Sequence, residues 1–517
     1  KIARSLALKQ QAGFTRQLLL DVSEIRNNDA GTGVQRVVRS YLRALLQSPP
    51  EGFQVAPVYA TREEGYRYAW RLAQQYGATL PHGLSQLALE DQAPITWQRG
   101  DIFFALDMQH HVQLTHRPFF RQLQADGVTV KFLVHDLLPV QLADLFKDDD
   151  AKQLHEEWLS MIAATDGAIC VSKATADAFD QWIEDNNIPR TPGFRMAWVH
   201  NGGDLDGSVP STGLPPDAEE VLARIQERPS LLCVSTLEPR KGQDLLFEAM
   251  QALWQRGQDI NLVLVGRQGW KIDGLAEALR GHPENGKRLF WLEGISDEYL
   301  ERVYKASAAL VASSLNEGFG LSLIEAARYQ VPIIARDIPV YREVAQSSAF
   351  YFTGDTGDAL AHELEQWLAL YRQGTHPRST GLRWQTWAES AEQLKHALVQ
   401  ERYPRRQLLV DVSELVRLDA RSGIQRVVRS VLKEWLTNPP EGYRVEPVYA
   451  NVDEGYRYAR RFTRTFMEWP AEELDDELID FAPGDVFFGL DMQPQVQLAQ
   501  QPFYQQLRRQ GVTVKFL

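Results

Sequence analysis

The stretch SSLNEGFGLSLIEAARYQVPIIARD, residues 313–337, decides how this chain is read. An apolar run, AALVAS, leads into a loop that holds Glu317, Gly318, Phe319 and Gly320, and helical apolar spacing begins near Leu321, with Glu325 in its first turns. A second apolar run, VPIIAR, follows. Strand, loop, helix and strand in this order predict one unit of a parallel sheet. A glycine-bearing loop before a helix exposes backbone N–H groups next to the positive end of the helix dipole, so a diphosphate suits that place. In such folds ligands bind beyond the carboxyl ends of the strands.

Outward from this segment the same alternation continues. LLLDVS precedes VQRVVRSYLRALLQ, GAICVS precedes ATADAFDQWIED, SLLCVST precedes QDLLFEAMQALWQR, and VKFLVHD and NLVLVG are further strand-like runs. Doubly wound α/β is the predicted class. Gly, Pro, Ser and Asp cluster in NGGDLDGSVPSTGLPPD (201–217), where apolar periodicity stops, and a domain boundary is expected there. The helical stretch WQTWAESAEQLKHALVQ (384–400) precedes a linker, ERYPRR, and is expected to return to the first domain.

The chain also repeats its own beginning. Residues 17–69 recur at 407–459 with 33 of 53 positions identical, and GDIFFALDMQ at 100 pairs with GDVFFGLDMQ at 484. A repeat this long is a duplicated domain and not a solenoid unit. The second copy ends opposite Leu133, in an apolar run, from which we expect an excerpt of a longer tandem protein. The expected divisions are an upstream tail (1–16), a first Rossmann-like domain (17–205), a second (206–383), a crossover helix and linker (384–406), and an incomplete further first-type domain (407–517).

Composition narrows the function. The 517 residues are 44% hydrophobic and 24% charged, which is ordinary for a globular protein. A net charge of -13 leaves no general basic field for nucleic acid, so any phosphate site must be local. No apolar run reaches the 18 or more residues of a membrane span, and the first residues lack a signal-peptide core; a cytoplasmic location is expected, with attachment to the inner face of the membrane left open. Cys170 and Cys233 each sit in a strand-like apolar run and are expected to be buried thiols.

The run E-G-F-G-L-x-x-x-E-A at 317–326 resembles the E-x7-E signature of the GT4 retaining glycosyltransferases, which have the GT-B fold of two Rossmann-like domains facing across a cleft. STLEPRKGQDLL (235–246), NLVLVGRQGW (261–270), WLEGISDEYLERVYKASAALV (291–311) and VHDLLP (134–139) support the resemblance over roughly residues 17–400. It implies that Glu325 grips a ribose, that Glu317 lies against the donor sugar, and that Gly318, Phe319, Gly320 and Leu321 receive the donor. Taken alone, Glu325 also reads as a carboxylate complementing a helix dipole. Lys241 and Arg240 are suited to neutralise a leaving diphosphate, or form a solvated turn. Relatives carry an arginine near Ser235 that is absent here. His135 follows a strand at the cleft edge, where the resemblance implies contact with the transferred sugar; a structural histidine is the alternative. Gly33 with Gly31 and Arg36 resembles the first glycine-rich turn, and Gly266 ends another strand facing the donor. Asn201, Gly202 and Asp204 resemble a hinge element or are an ordinary turn. The aromatics of EEGYRYAWR (63–71) read either as acceptor stacking or as helix packing.

The implied reaction moves a sugar from a nucleoside diphosphate to a glycan or lipid-linked glycan acceptor with retention, by front-side attack in an ion pair, with no metal and no cofactor. The TLEPRKG and VGRQGW variants resemble bacterial O-antigen and capsule mannosyltransferases, so GDP-mannose is the expected donor, and a polysaccharide-assembly complex is a possible partner. A nucleotide-sugar epimerase and a non-catalytic glycan-binding scaffold stay open.

Overall fold

A computed structural model describes residues 16–28, 32–77, 91, 93–148, 150–191, 193–204, 211–399, 406–420, 422–440, 443–467, 476–481 and 484–517. Most of the upstream tail, Gly31, Arg421, residues 205–210 of the expected domain boundary and most of the ERYPRR linker lie outside these residues. The chain divides into two compact units, residues 1–400 and 401–517.

The first unit contains two sheets. Strands β1 (Arg16–Asp21), β2 (Phe53–Tyr59), β3 (Arg67–Tyr68), β4 (Ile102–Ala105), β5 (Thr129–Val134), β6 (Gly167–Cys170) and β7 (Arg195–Trp198) form one sheet in the order β3-β2-β1-β4-β5-β6-β7. Every pairing is parallel except that of the short edge strand β3. Strands β8 (Ser230–Val234), β9 (Asn261–Val265), β10 (Leu289–Leu292), β11 (Ala309–Ala312), β12 (Ile333–Arg336) and β13 (Ala349–Phe352) form the other, wholly parallel, in the order β10-β9-β8-β11-β12-β13. Continuous apolar runs such as SLLC and NLVLV are buried along their length, as strands covered by helices on both faces must be. Two Rossmann-like sheets in one unit are the arrangement the resemblance implied.

Each strand order reverses once, at β1/β4 in the first sheet and at β8/β11 in the second. The loops after neighbouring strands run to opposite sides at such a point and leave a crevice, which is where these folds bind ligands. Lys241 follows β8 and Glu317 follows β11, so both stand at the crevice of the second sheet.

The helix Trp387–Val399 does return to the first domain. It packs on the helix Gly33–Gln47, where Tyr41 meets Trp387 edge to face at 5.3 Å and shares a 2.7 Å hydrogen bond with Ser390. Lys131 from β5 donates to the carbonyl of Ala397 at 2.9 Å, near the end of the same helix. Gly202 makes the crossing possible, because a Cβ there would stand 2.4 Å from the backbone nitrogen of Trp387.

The second unit repeats the beginning of the first. Strands β14 (Arg406–Asp411), β15 (Tyr443–Tyr449), β16 (Arg457–Tyr458), β17 (Val486–Gly489) and β18 (Thr513–Phe516) run in the order β16-β15-β14-β17-β18. Even local devices recur: the capping box of Thr32 and Gln35 reappears as Ser422 and Gln425. Val37, which is buried, corresponds to Val427, which is 52% exposed. β18 ends the sheet with Phe516 and Leu517 exposed.

Aromatics of the EEGYRYAWR segment are core residues: Tyr66, Tyr68 and Trp70 are all buried. The segment forms the short strand β3 and then the helix Trp70–Gln75, and the Tyr66 hydroxyl donates to the buried Asp21 carboxylate at 2.8 Å. Ser23 and Gln113 also donate to Asp21, and Trp158 donates to Gln113, so a closed polar network fills the β1/β4 switch point. Asp411, Ser413 and Tyr456 rebuild its centre in the second unit.

Candidate active site

Two loops meet beyond β8 and β11. The segment Pro239–Lys241 makes a single turn of 3-10 helix that ends at Gly242, whose φ of 65° lies in the left-handed region. A Cβ at Gly242 would stand 2.5 Å from the carbonyl oxygen of Ser313, so only glycine lets the loops approach this closely. Leu315 N–H donates to the Arg240 carbonyl at 2.9 Å, and Ser313 Oγ donates to that of Lys241 at 2.8 Å. Arg336, buried at the end of β12, donates from Nε to the Ser313 carbonyl at 3.0 Å.

This scaffold sets Lys241 Nζ 2.5 Å from Glu317 Oε1, with Ser314 Oγ donating to the same oxygen at 2.8 Å. Arg240 stands 3.9 Å from Glu317 Oε2 and 2.9 Å from Glu238. Burial alone would raise the pKa of Glu317, but Lys241 and Arg240 outweigh it and hold the carboxyl below its ordinary range. Glu317 is therefore a carboxylate at neutral pH, engaged by a lysine, and has no proton to give. Burial raises Glu238 instead. Nε and Nη1 of Arg240 are buried without a hydrogen-bond partner among the described residues, so this guanidinium has donors to spend.

The glycine loop is pressed against the first domain. A Cβ on Gly318 would lie 1.9 Å from the carbonyl oxygen of His135, closer than any real contact. Ser172 Oγ and Thr175 Oγ1 donate to the Gly318 carbonyl at 2.7 and 3.1 Å from the start of the helix Lys173–Asp185. Asn316 donates to Gln141 at 2.7 Å. His135 is buried, its Nε2 has no partner among the described residues, and desolvation lowers its pKa to about 4 against the pull of Asp136. It is a neutral imidazole at physiological pH. Two more histidines extend this edge: His110 Nε2 lies 2.8 Å from His155 Nδ1, whose ring reaches the Asp136 carbonyl at 3.1 Å.

The helix Leu321–Arg328 starts where the sequence places it, after Gly320, whose φ is 89°. Glu325 has partners of its own. Arg36 Nη1 donates to its Oε1 at 2.7 Å and Tyr304 to its Oε2 at 2.8 Å. It lines a narrow cleft with Asp297, Tyr304 and Arg328. The predicted residues thus fall into two neighbouring groups, Lys241, Arg240, Glu317, Gly318 and His135 in one, and Glu325 with Arg36 in the other. Phe319 is buried and lines a separate cavity at the hinge, and Leu321 opens the helix. Gly33 begins the helix that carries Arg36. At Gly266, with φ 149°, a Cβ would meet the Ser235 carbonyl at 2.0 Å, so this glycine lets the ends of β8 and β9 converge.

Sequence reading missed several of these contacts. Tyr304 lies in the quoted 291–311 segment but was not singled out, and Ser172 and Thr175 carried no motif of their own. Glu343 accepts from the N–H groups of Lys173 and Ala174 at 2.8 and 2.7 Å, and lies 2.6 Å from His200 Nε2. These partners are more than a hundred residues apart, and periodicity carries no signal at that range. No group of three or more His, Cys, Asp or Glu among the described residues is placed to hold a metal.

Residues 216–380 match the family described as "Glycosyl transferases group 1". The serotype-specific mannosyltransferase WbdA of Escherichia coli is 42% identical over 394 residues, which cover 76% of this chain and 47% of that protein. O-antigen chain mannosyltransferase B of Escherichia coli is 30% identical over 139 residues, or 26% of this chain and 35% of that one. The chain spans about half the length of the WbdA proteins it matches. Among solved structures, Anabaena HepE in complex with UDP and glucose is 15% identical, with a TM-score of 0.46 over 74% of this chain and 95% of that one.

Proposed function

Residues 216–380 form a group 1 glycosyl transferase domain, and from that premise we propose that the first unit is a retaining mannosyltransferase. It moves mannose from GDP-mannose to a growing bacterial surface glycan at the inner face of the cytoplasmic membrane. The observation that carries this reading is the Lys241, Arg240 and Glu317 cluster beside the Gly318–Gly320 loop, at the switch point of the second sheet. The 42% identity to a mannosyltransferase supports the choice of sugar.

In this scheme Lys241 and the open donors of Arg240 take the charge that builds on the departing diphosphate, in a site walled by both domains. Glu317 orients Lys241 by their 2.5 Å contact and stays ionised throughout. His135, neutral and with Nε2 unspent, is the polar contact from the opposite wall for a sugar hydroxyl. Glu325 meets the nucleoside's ribose, whose hydroxyls share the carboxylate with Arg36 and Tyr304 or displace one of them. No carboxylate at glycosidase spacing is needed as a nucleophile on this route.

The test is a panel of GDP-, UDP- and dTDP-sugars given to the full chain with a mannose-terminated acceptor. Mannosyl product from GDP-mannose alone is expected. Turnover confined to another donor would reject the sugar, and epimer formation without acceptor would reject transfer.

A further inference from the structure

Behind the glycine loop lies a cavity of about 160 Å3 that the donor scheme does not use. It sits at the hinge, and its walls come from His200 and Asn201 at the end of the first domain, from Phe319, Ile324 and Val344 of the second, and from Arg383, Trp384 and Gln385 at the start of the crossover. Neither Lys241 nor Glu317 lines it.

Three features say what it takes. Asn201 is 3% exposed, yet its Oδ1 has no hydrogen-bond partner among the described residues. A buried amide oxygen left this way calls for a donor such as a hydroxyl. Trp384 in the wall and Trp198 beside it are 38% and 45% exposed, and Trp198 lies 5.1 Å from the His200 ring. Exposed indoles bordering a pocket offer flat apolar faces to a ligand that is part apolar and part polar. Arg383 lines the wall, and the adjoining His200 Nε2 is held 2.6 Å from the Glu343 carboxylate. The volume is below the ~300 Å3 of pockets that enclose drug-sized ligands, enough for one ring with the rest of a chain in solvent.

We propose that this hinge cavity is a second saccharide site, which holds one neutral hexose unit of a glycan between Asn201 and Trp384, apart from the Lys241–Glu317 cluster. The transferase reading supplies only the choice of probe. Because both domains and the crossover line the cavity, a bound sugar also braces the hinge.

Titration of the full chain with α-mannotriose, in the presence of saturating GDP, tests the site by tryptophan fluorescence and saturation-transfer NMR. Saturable binding is expected, weakened at least tenfold in Trp384→Ala and kept within about threefold in Trp384→Phe. Absence of saturable binding to the wild type, or equal affinity in Trp384→Ala, overturns the proposal. GDP-induced thermal shifts on the same samples separate the two readings. Mannotriose binding through Trp384 without a GDP shift keeps this site and removes the donor scheme, whereas a GDP shift without mannotriose binding does the reverse.

Discussion

Gly318→Ala puts the proposed geometry under the most pointed strain. The added methyl would stand 1.9 Å from the His135 carbonyl oxygen, a backbone atom on the far side of the cleft, with Asp136 Cβ at 3.2 Å. Neither neighbour is the end of a flexible side chain, so the loop itself must withdraw by roughly an ångström to restore ordinary contact. Its carbonyl is held by Ser172 and Thr175, and those hydrogen bonds resist the movement. Overpacking of this kind costs about 1–3 kcal/mol of stability. The functional cost is larger, because Glu317 precedes the glycine directly and an ångström of misplacement at a reacting centre lowers rate by about 100-fold. Nucleotide release from GDP-mannose at saturating acceptor reads the rate, and guanidinium unfolding reads the stability. Turnover within twofold of wild type would refute the idea that this contact fixes the catalytic loop.

Gly33→Ala is the contrasting case. A Cβ there meets nothing within 4 Å, at the first position of a capped helix, so a gain of about 0.4–1 kcal/mol is expected in the same unfolding assay. For the Arg36–Glu325 pair, whose side chains are 20% and 12% exposed, a double-mutant cycle with Arg36→Ala and Glu325→Gln should give a coupling of about 1–2 kcal/mol. His135, held near pKa 4 in the fold against 6.5 unfolded, favours the neutral form. Its share of stability is complete above pH 6.5 and shrinks as pH falls toward 4, by about 2 kcal/mol at pH 5. Asp107, raised to about 7 mainly by burial, pushes the other way, so the effect is read as the difference between wild type and His135→Asn unfolded at pH 7.5 and pH 5. Cys170 and Cys233 are buried with thiols pushed up, Cys233 to about 11, and should resist a thiol reagent at pH 8 until denaturant is added.

Much of this was legible because it is local. Apolar runs fix the strands, and the start of the helix Leu321–Arg328 follows from glycine before a periodic run. Lys241 and Glu317 were nameable because each follows a strand-like run in a segment, RKG or E-x7-E, that the resemblance covers. What stayed hidden is what pairs across the first unit. Arg36 and Glu325 meet over 289 positions, and nothing in either segment's periodicity marks the other. Gly318 reads in sequence as a donor-loop glycine, and its close approach to the His135 carbonyl is visible only in the fold. The EEGYRYAWR aromatics look available to a sugar, and only the buried Asp21 explains why Tyr66 turns inward. His200 likewise gained meaning only once Glu343 was found beside it.

The central claim is that Lys241 and the glycine loop hold a nucleoside diphosphate. Calorimetric titration of GDP into the full chain and into Lys241→Gln tests it most directly, with Glu317 left in place in both. The account predicts a loss of affinity of at least 30-fold in a variant that still unfolds cooperatively. Equal affinity in wild type and variant would contradict it.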